Sequence, residues 1–194
     1  MGVTQTKGVT MRVQLLATVA ALAVTTTAAS AYTRHHHRHH AHPNVAHAQA
    51  DPRVTKSMET LKVMTAKLGK PKLDGQEAVG GKDAPALYFG TTKINNNFDI
   101  VDAVGKEDGK GMTATLFAKG RDDYIRVSTN VPKPDGSGRA VGTVLAGPAL
   151  ESIKAGKAYY GEVPILGTPY VTGYEPIKDS SGAQIGVYYV GYKK

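Results

Sequence analysis

Residues 112–129 read MTATLFAKGRDDYIRVST, and this stretch decides the fold. Its two halves, Met112 to Lys119 and Asp123 to Thr129, alternate apolar and polar side chains with a period of two, which is typical of half-buried β-strands. Lys119-Gly120 is a turn signal between the two halves. Because short turns join neighbouring strands in antiparallel order, we predict that the two strands pair with each other.

The same periodicity extends outward from this pair. Asn95-Asn96-Asn97 and Lys110-Gly111 are further turn signals. The additional strands that the pattern predicts are Leu87 to Ile94, Asp99 to Val104, Tyr170 to Pro176 and Gln184 to Tyr192. A longer segment, Pro132 to Pro169, separates the fourth strand from the fifth and is called the excursion below. We predict a short helix within it, at about Pro148 to Ala155.

An amphipathic helix is predicted before the strands. Asp51-Pro52 supplies an acidic cap and a proline in the first turn. Val54, Met58, Leu61, Met64 (or Thr65) and Leu68 then form one apolar stripe, and Gly69 with Pro71 ends the helix. Lys70 to Pro85 is rich in Gly and Lys and is predicted to be a mobile connector. The expected fold class is α+β: a PAS-like antiparallel β-sheet with this helix on one face and the excursion over the other.

The beginning of the sequence predicts export. Arg12 precedes an apolar run, Val13 to Val24, that is shorter than the about 20 residues needed to span a bilayer. The small residues Ala29-Ser30-Ala31 suit signal peptidase, so we expect cleavage after Ala31; an uncleaved membrane anchor is the alternative. The expected location is the periplasm or the outside of the cell, with no transmembrane anchor after cleavage. The expected organisation is a signal peptide at 1–31, a flexible His-rich segment at 32–50 and a single domain at 51–194.

All seven histidines fall in one tract. Neighbouring imidazoles on a flexible segment can converge on zinc, nickel or copper, which makes the tract a candidate metal site. The alternative is a solvated linker that titrates near neutral pH, in which Arg34 and Arg38 oppose cation binding. The candidate ligands are His35, His36, His37, His39, His40, His42 and His47. No other cofactor is expected.

Composition excludes several classes of protein. Cysteine is absent, so disulfides and thiolate metal sites are excluded. The net charge of +8 is spread along the chain, and we expect no nucleic-acid partner. We expect no enzyme either, because the predicted domain has no His or Cys and no G-x-S-x-G or P-loop motif. Asp122-Asp123 is a carboxylate pair, but adjacent residues of a strand point to opposite faces.

The strand at Asp123 to Thr129 carries the main candidate binding residue. Alternation places Ile125, Val127 and Thr129 on the face towards the helix, and Tyr124, Arg126 and Ser128 beneath the excursion. There an arginine must reach solvent or pair with an anion. Tyr170, Thr172 and Tyr174 form a similar polar face, which suits a small carboxylate. The alternative is an ordinary strand arginine that is solvated or paired with a neighbouring acid, Asp123 or Glu175.

Several ordered motifs resemble a known family. The run FDIVDAVGKEDGKGMTATLFAKGRDDYIRVSTNV is followed by GSGRAVGT, GKAYYGE and ILGTPYVTGYEPIKDSSGAQIGVYYVG. Together they resemble the single Cache domains of methyl-accepting chemotaxis receptors and sensor kinases. The resemblance implies an extracytoplasmic PAS-like domain that binds a small organic acid or amine between the sheet and the excursion. The residues matching the pocket segments are Arg126, Ser128, Tyr159, Tyr160, Tyr170 and Tyr174.

The sequence departs from the receptors in one respect. Receptors carry a second transmembrane helix and a cytoplasmic output module after this domain, whereas this sequence ends at Lys194. We therefore expect a free binding or accessory protein rather than a complete receptor. Presentation of the ligand to a membrane receptor or sensor kinase, and a homodimer formed through the N-terminal helix, are the partnerships left open.

Overall fold

The computed structural model describes residues 50–194. These residues form three helices, α1 (Pro52–Ala66), α2 (Asp99–Asp108) and α3 (Pro148–Lys154). They also form the strands β1 (Pro71–Val79), β2 (Lys82–Phe89), β3 (Thr92–Lys93), β4 (Met112–Lys119), β5 (Tyr124–Thr129), β6 (Tyr159–Ile165), β7 (Thr168–Lys178) and β8 (Gln184–Lys193). The predicted signal peptide, its cleavage site and the His-rich segment up to residue 49 lie outside the described residues.

Helix α1 forms as its sequence predicts. The Asp51 carboxylate accepts a hydrogen bond from the Arg53 backbone N–H at 2.9 Å, which caps the first turn. Val54, Met58 and Leu61 are buried on one side of the helix. This apolar stripe packs on the sheet and stabilises the helix by burial rather than by helix propensity.

The main sheet has five antiparallel strands in the order β5-β4-β8-β7-β6. The predicted pairing of β4 with β5 is confirmed. Strands β1, β2 and β3 form a second, three-stranded antiparallel sheet. The sequence predicted one sheet, so this second sheet is a correction.

The two faces of the main sheet are covered differently. Ile125 and Val127 of β5 belong to the same buried cluster as Val54, Met58 and Leu61 of α1. Tyr124 of β5 belongs instead to a second cluster with Ala149 and Ile153 of α3, inside the excursion. Helix α1 therefore lies on one face and the excursion on the other, which confirms the predicted α+β, PAS-like arrangement.

The predicted strand at Asp99 to Val104 is wrong, because this segment is helix α2. Asp99 and Asp102 lie in the first turn, where carboxylates are favourable against the helix dipole. Val101 and Val104 are three residues apart, so both fall on one helical face, and both are fully buried. A strand would have placed these two valines on opposite faces.

The predicted connector at Lys70 to Pro85 is also wrong, because it holds β1 and the start of β2. Gly80 and Gly81 form a two-residue hairpin loop, with Val79 paired to Lys82 on either side. Both glycines have positive φ, +57° and +81°, as this tight turn requires. The glycines and lysines that suggested a loop are a turn signal and exposed strand side chains.

Two further boundaries differ from the prediction. The strand expected at Leu87 to Ile94 is broken after Phe89, so that β2 and β3 form a short hairpin. Within the excursion, Tyr159–Ile165 is an unpredicted strand, β6, which pairs with β7. None of the helices in residues 50–194 is long and apolar enough to cross a membrane.

Candidate functional site

Arg126 lies on β5, the edge strand of the main sheet, on the face that the excursion covers. It pairs with Phe117 of β4, and its guanidinium lies over the Phe117 ring at 5.1 Å from the centroid. Only 4% of Arg126 is exposed. Burying a charged side chain at such depth costs free energy unless the charge has a partner. The contacts of Arg126 therefore show whether its charge is compensated.

Within the described residues, the Arg126 guanidinium makes one side-chain hydrogen bond. Nη1 donates to Thr143 Oγ1 at 2.6 Å. Nε is buried without a partner, and no carboxylate of residues 50–194 forms an ion pair with Arg126. Desolvation lowers the pKa of Arg126 below its ordinary value. The ion pair with Asp123 or Glu175 that the sequence left open is therefore not formed.

Main-chain hydrogen bonds join the excursion to β5. The Arg126 N–H donates to the Thr143 carbonyl at 2.9 Å, and the Gly142 N–H donates to the Arg126 carbonyl at 2.9 Å. The Leu145 N–H donates to the Tyr124 carbonyl at 3.0 Å. Residues 142–145, called the pinned loop below, therefore run along β5 and hold the excursion beside Arg126.

A cavity of about 330 Å³ opens beside Arg126. Its walls are Arg126 and Tyr174 from the sheet, residues 144–148 from the excursion, and residues 163–166 at the turn between β6 and β7. This volume is at the small end of the range of about 300–1,000 Å³ that is typical of ligand pockets. The cavity suits a small molecule rather than a peptide or a large cofactor.

Tyr174 lines the sheet side of the cavity, and other tyrosines pack in the buried cluster around it. The Tyr174 ring lies 4.9 Å from that of Tyr189 and 6.2 Å from that of Tyr159, measured between centroids. Tyr170 belongs to the same buried cluster. Burial raises the pKa of Tyr174, so its hydroxyl remains protonated and can donate a hydrogen bond to an anion.

Ser128 does not join this group, which corrects the predicted alternation. A β-bulge between Leu116 and Phe117 shifts the register, so that Ser128 pairs with Leu116 and Arg126 with Phe117. Leu116 belongs to the cluster beneath α1, and the Ser128 hydroxyl donates to the Asn97 carbonyl at 2.6 Å. The extra residue of the bulge places Ser128 on the α1 face and Thr129, bonded to Thr115, on the other.

Tyr160 is also separated from Arg126. It packs against the α1 cluster, and its hydroxyl donates to the Glu175 carboxylate. Glu175 in turn forms an ion pair with Lys62 of α1, at 3.1 Å between Nζ and Oε2. Arg126, Tyr159, Tyr170 and Tyr174 therefore lie on the excursion side of the sheet, while Ser128 and Tyr160 lie on the helix side.

A comparison with known protein families identifies the family to which this chain belongs. Residues 19–194 match the model of the Cache 3/Cache 2 fusion domain. The chain belongs to this Cache family. Cache domains are extracytoplasmic sensory domains that bind small molecules, and they work with receptors. The predicted resemblance is thereby confirmed, and the cavity beside Arg126 is a candidate place for such a ligand in this Cache domain. No curated protein matches the chain.

Sequence reasoning found Arg126 and Tyr174 but missed the rest of the cavity lining and Thr143 beside it. Thr143 bonds Arg126, while Val144 and Leu166 line the cavity with 39% of each exposed. Leu166 has φ +48°, the left-handed region that a leucine rarely adopts, followed by Gly167 at +85°. The β6–β7 loop could have been predicted from Leu166-Gly167 between alternating segments, but the position of Leu166 at the cavity could not.

The described part of the Cache domain offers no alternative metal centre. Residues 50–194 contain no group of three or more His, Asp or Glu side chains placed to hold a metal ion. The predicted ligands in the His tract, His35 to His47, lie outside the described residues. Metal binding by the tract stays a prediction.

Proposed function

We propose that this protein is an exported Cache-type binding module, periplasmic or secreted, that takes a small organic anion in the cavity beside Arg126. The observation that carries the proposal is the guanidinium itself, buried, without a carboxylate partner and lining the cavity. A bound carboxylate would accept hydrogen bonds from Arg126 and from the Tyr174 hydroxyl, with Tyr159 and Tyr170 supporting the tyrosine wall. It would thereby neutralise a buried charge that has no carboxylate partner within residues 50–194.

A thermal-shift screen of small organic acids tests this function. A ligand at about 100 times its Kd should raise the Tm of the purified protein by roughly 5–10 °C. The shift should disappear in Arg126→Gln, which removes the charge and keeps a polar side chain. Arg121→Gln is the matched control, because Arg121 is an exposed arginine of the turn before β5. A shift that persists in Arg126→Gln, or no shift with any organic acid, would contradict the proposal.

The proposed biological role is sensory or accessory, with a membrane receptor or sensor kinase as the partner. The support is the sensory role of Cache domains. Crosslinking in membranes of the native host, with and without the ligand found above, tests this role. A crosslink to a receptor or kinase that changes with ligand supports it, and a protein that crosslinks to neither contradicts it.

The alternative function is metal capture by the His tract. It is favoured by the confinement of all seven histidines to residues 35–47. Calorimetric titration with Zn²⁺, Ni²⁺ and Cu²⁺ separates the two functions, using the purified protein and a variant with every histidine of the tract changed to serine. Equal binding by the two proteins would remove the tract from consideration.

A further inference from the structure

The cavity beside Arg126 has one charged group and otherwise largely apolar walls. Residues 144–148 and 163–166 contribute Val, Leu, Ala, Gly, Pro and Ile side chains, with no acid, amide or second cation. The only polar side chains in the lining are those of Arg126 and Tyr174. The cavity therefore offers one binding group for a negative charge, and the rest of its surface favours hydrocarbon.

Exposure differs between the two ends of this cavity. Arg126 is 4% exposed, whereas Val144 and Leu166 are each 39% exposed. Only one other large apolar side chain in residues 50–194, Val63 of α1, is exposed to this degree. Two of these three side chains therefore line the same cavity, where an apolar ligand would remove them from water.

The backbone conformation of Leu166 also supports a role for this residue in the cavity. A left-handed conformation costs a leucine about 1–2 kcal/mol, and Asn or Gly at this turn position would avoid that cost. The protein instead holds an apolar side chain at the cavity in a strained conformation. Strain retained in residues that line a pocket is typical of a functional position.

The charges of the cavity exclude two common kinds of small acid. An amino acid would bring an α-ammonium, and the lining offers it no carboxylate. A dicarboxylic acid would bring a second carboxylate, and the lining offers it no second cation. In a short acid either group would lie against the apolar walls without a charged partner in the lining, which opposes binding.

Resting on the proposed function, we propose that the ligand is a monocarboxylate with an apolar tail. Its carboxylate binds Arg126, and its tail extends between Val144 and Leu166 towards the mouth of the cavity. The protein therefore selects short-chain or aromatic monocarboxylates over amino acids and dicarboxylates.

Isothermal titration with acids that differ by one group tests this selectivity. Acetate, butyrate and hexanoate vary the tail, and each added methylene should tighten binding roughly fourfold until the cavity is filled. Succinate and 2-aminobutyrate have the four-carbon skeleton of butyrate and should each bind about 100-fold more weakly or not at all. 2-Hydroxybutyrate adds a neutral group at the same carbon and separates the effect of charge from that of size.

Two variants locate the tail within the cavity. Val144→Thr replaces a methyl group by a hydroxyl of similar size, so it should weaken hexanoate several-fold and leave acetate unchanged. Val63→Thr is the matched control, because Val63 is exposed on α1 and does not line the cavity. Circular dichroism of both variants verifies that each is folded.

The outcomes distinguish this inference from the proposed function. Binding of 2-aminobutyrate or succinate as tight as that of butyrate, and abolished by Arg126→Gln, would overturn the selectivity and leave the anion site standing. Equal weakening of acetate and hexanoate by Val144→Thr would overturn the placement of the tail. If none of the acids binds in a way that depends on Arg126, the proposed function itself is overturned.

Discussion

Arg126 and Thr143 are joined twice, through their backbones and through their side chains. The Arg126 N–H donates to the Thr143 carbonyl at 2.9 Å, and Arg126 Nη1 donates to Thr143 Oγ1 at 2.6 Å. Thr143 also donates its hydroxyl to the Ala140 carbonyl at 2.8 Å. One residue of the pinned loop therefore fixes both the strand position and the guanidinium of the candidate binding arginine.

Replacing Thr143 by valine should destabilise the protein. The change keeps the shape and the backbone bond but leaves a buried guanidinium donor unsatisfied, at a cost of about 1–3 kcal/mol. Urea denaturation measures the loss. Thr55→Val, at an exposed position of α1, is the control and should stay within about 0.5 kcal/mol of the unmodified protein. Equal stability of the two variants would refute the importance of this bond.

Leu166→Asn should raise the stability of the protein and weaken the binding of hexanoate. Asparagine tolerates a positive φ better than leucine, so the free energy of unfolding should rise by about 0.5–1 kcal/mol. Hexanoate affinity should fall, because an apolar wall at the mouth of the cavity is lost. Gly167→Ala, at φ +85° in the same turn, should instead lower stability by about 1 kcal/mol. A stabilised Leu166→Asn protein with unchanged hexanoate affinity would argue against the proposed path of the tail.

Gly142→Ala should disturb the pinned loop by collision. A Cβ at Gly142 would lie 2.7 Å from the Val79 carbonyl oxygen and 2.9 Å from Gly80 Cα. Gly136 is the control, because its φ of +71° is similar to the +78° of Gly142 but no atom lies within 4 Å of its added Cβ. Both alanine variants lose about 1 kcal/mol to strain, and Gly142→Ala should lose about 1–3 kcal/mol more. Chemical denaturation of the pair should show this difference, and equal losses would mean that the loop can shift freely.

Tyr160→Phe should lower stability without affecting the ligand. The Glu175 carboxylate would lose a hydrogen-bond donor, at a cost of about 1–2 kcal/mol, while the cavity on the other side of the sheet is unchanged. Tyr174→Phe removes the hydroxyl that lines the cavity and should weaken butyrate several-fold. Calorimetric titration of the two variants checks this, and an effect of Tyr160→Phe on affinity as large as that of Tyr174→Phe would place Tyr160 at the site after all.

Stability should fall in strongly alkaline solution. Burial raises the pKa of Tyr174 and Tyr189 above the ordinary value of 10.0, so the folded protein keeps protons that the unfolded chain releases. The free energy of unfolding is therefore unaffected by these groups below about pH 9 and decreases above pH 10, by up to about 1.4 kcal/mol per pH unit for each tyrosine. Urea denaturation from pH 8 to 11 should show a smaller decrease in Tyr174→Phe, and identical profiles would contradict this assignment.

The sequence predicted best the elements whose periodicity is unambiguous. Helix α1 and strands β4, β5, β7 and β8 follow from their apolar spacing and turn signals. Helix α2 was mistaken for a strand because Asp99 to Val104 is a short, mostly apolar segment next to a turn signal, and such segments are hard to assign from periodicity. The joint burial of Val101 and Val104 identifies it as a helix. The hairpin of β1 and β2 was hidden by a Gly-Gly pair that composition alone assigns to a loop.

The sequence predicted only part of the candidate site, because a β-bulge and irregular segments determine the rest. Alternation along β5 placed Arg126 beneath the excursion, but the bulge opposite Leu116 and Phe117 moved Ser128 to the other face. One-residue irregularities reverse every later side chain of a strand and leave little trace in composition. Thr143, Val144 and Leu166 lie on irregular segments, where periodicity has no bearing on which side chains meet.

The pinned loop is held to β5 by main-chain N–H and carbonyl groups, which every amino acid except proline possesses. Apart from the bond of the Thr143 hydroxyl to Arg126, its bonds to Tyr124 and Arg126 run between main-chain groups, so the side chain of Val144 takes no part in them. The side chain at position 144, which lines the cavity, can therefore be exchanged while the strand, the loop and the guanidinium keep their places. If the proposed function holds, single substitutions at this position should change ligand preference without changing the backbone.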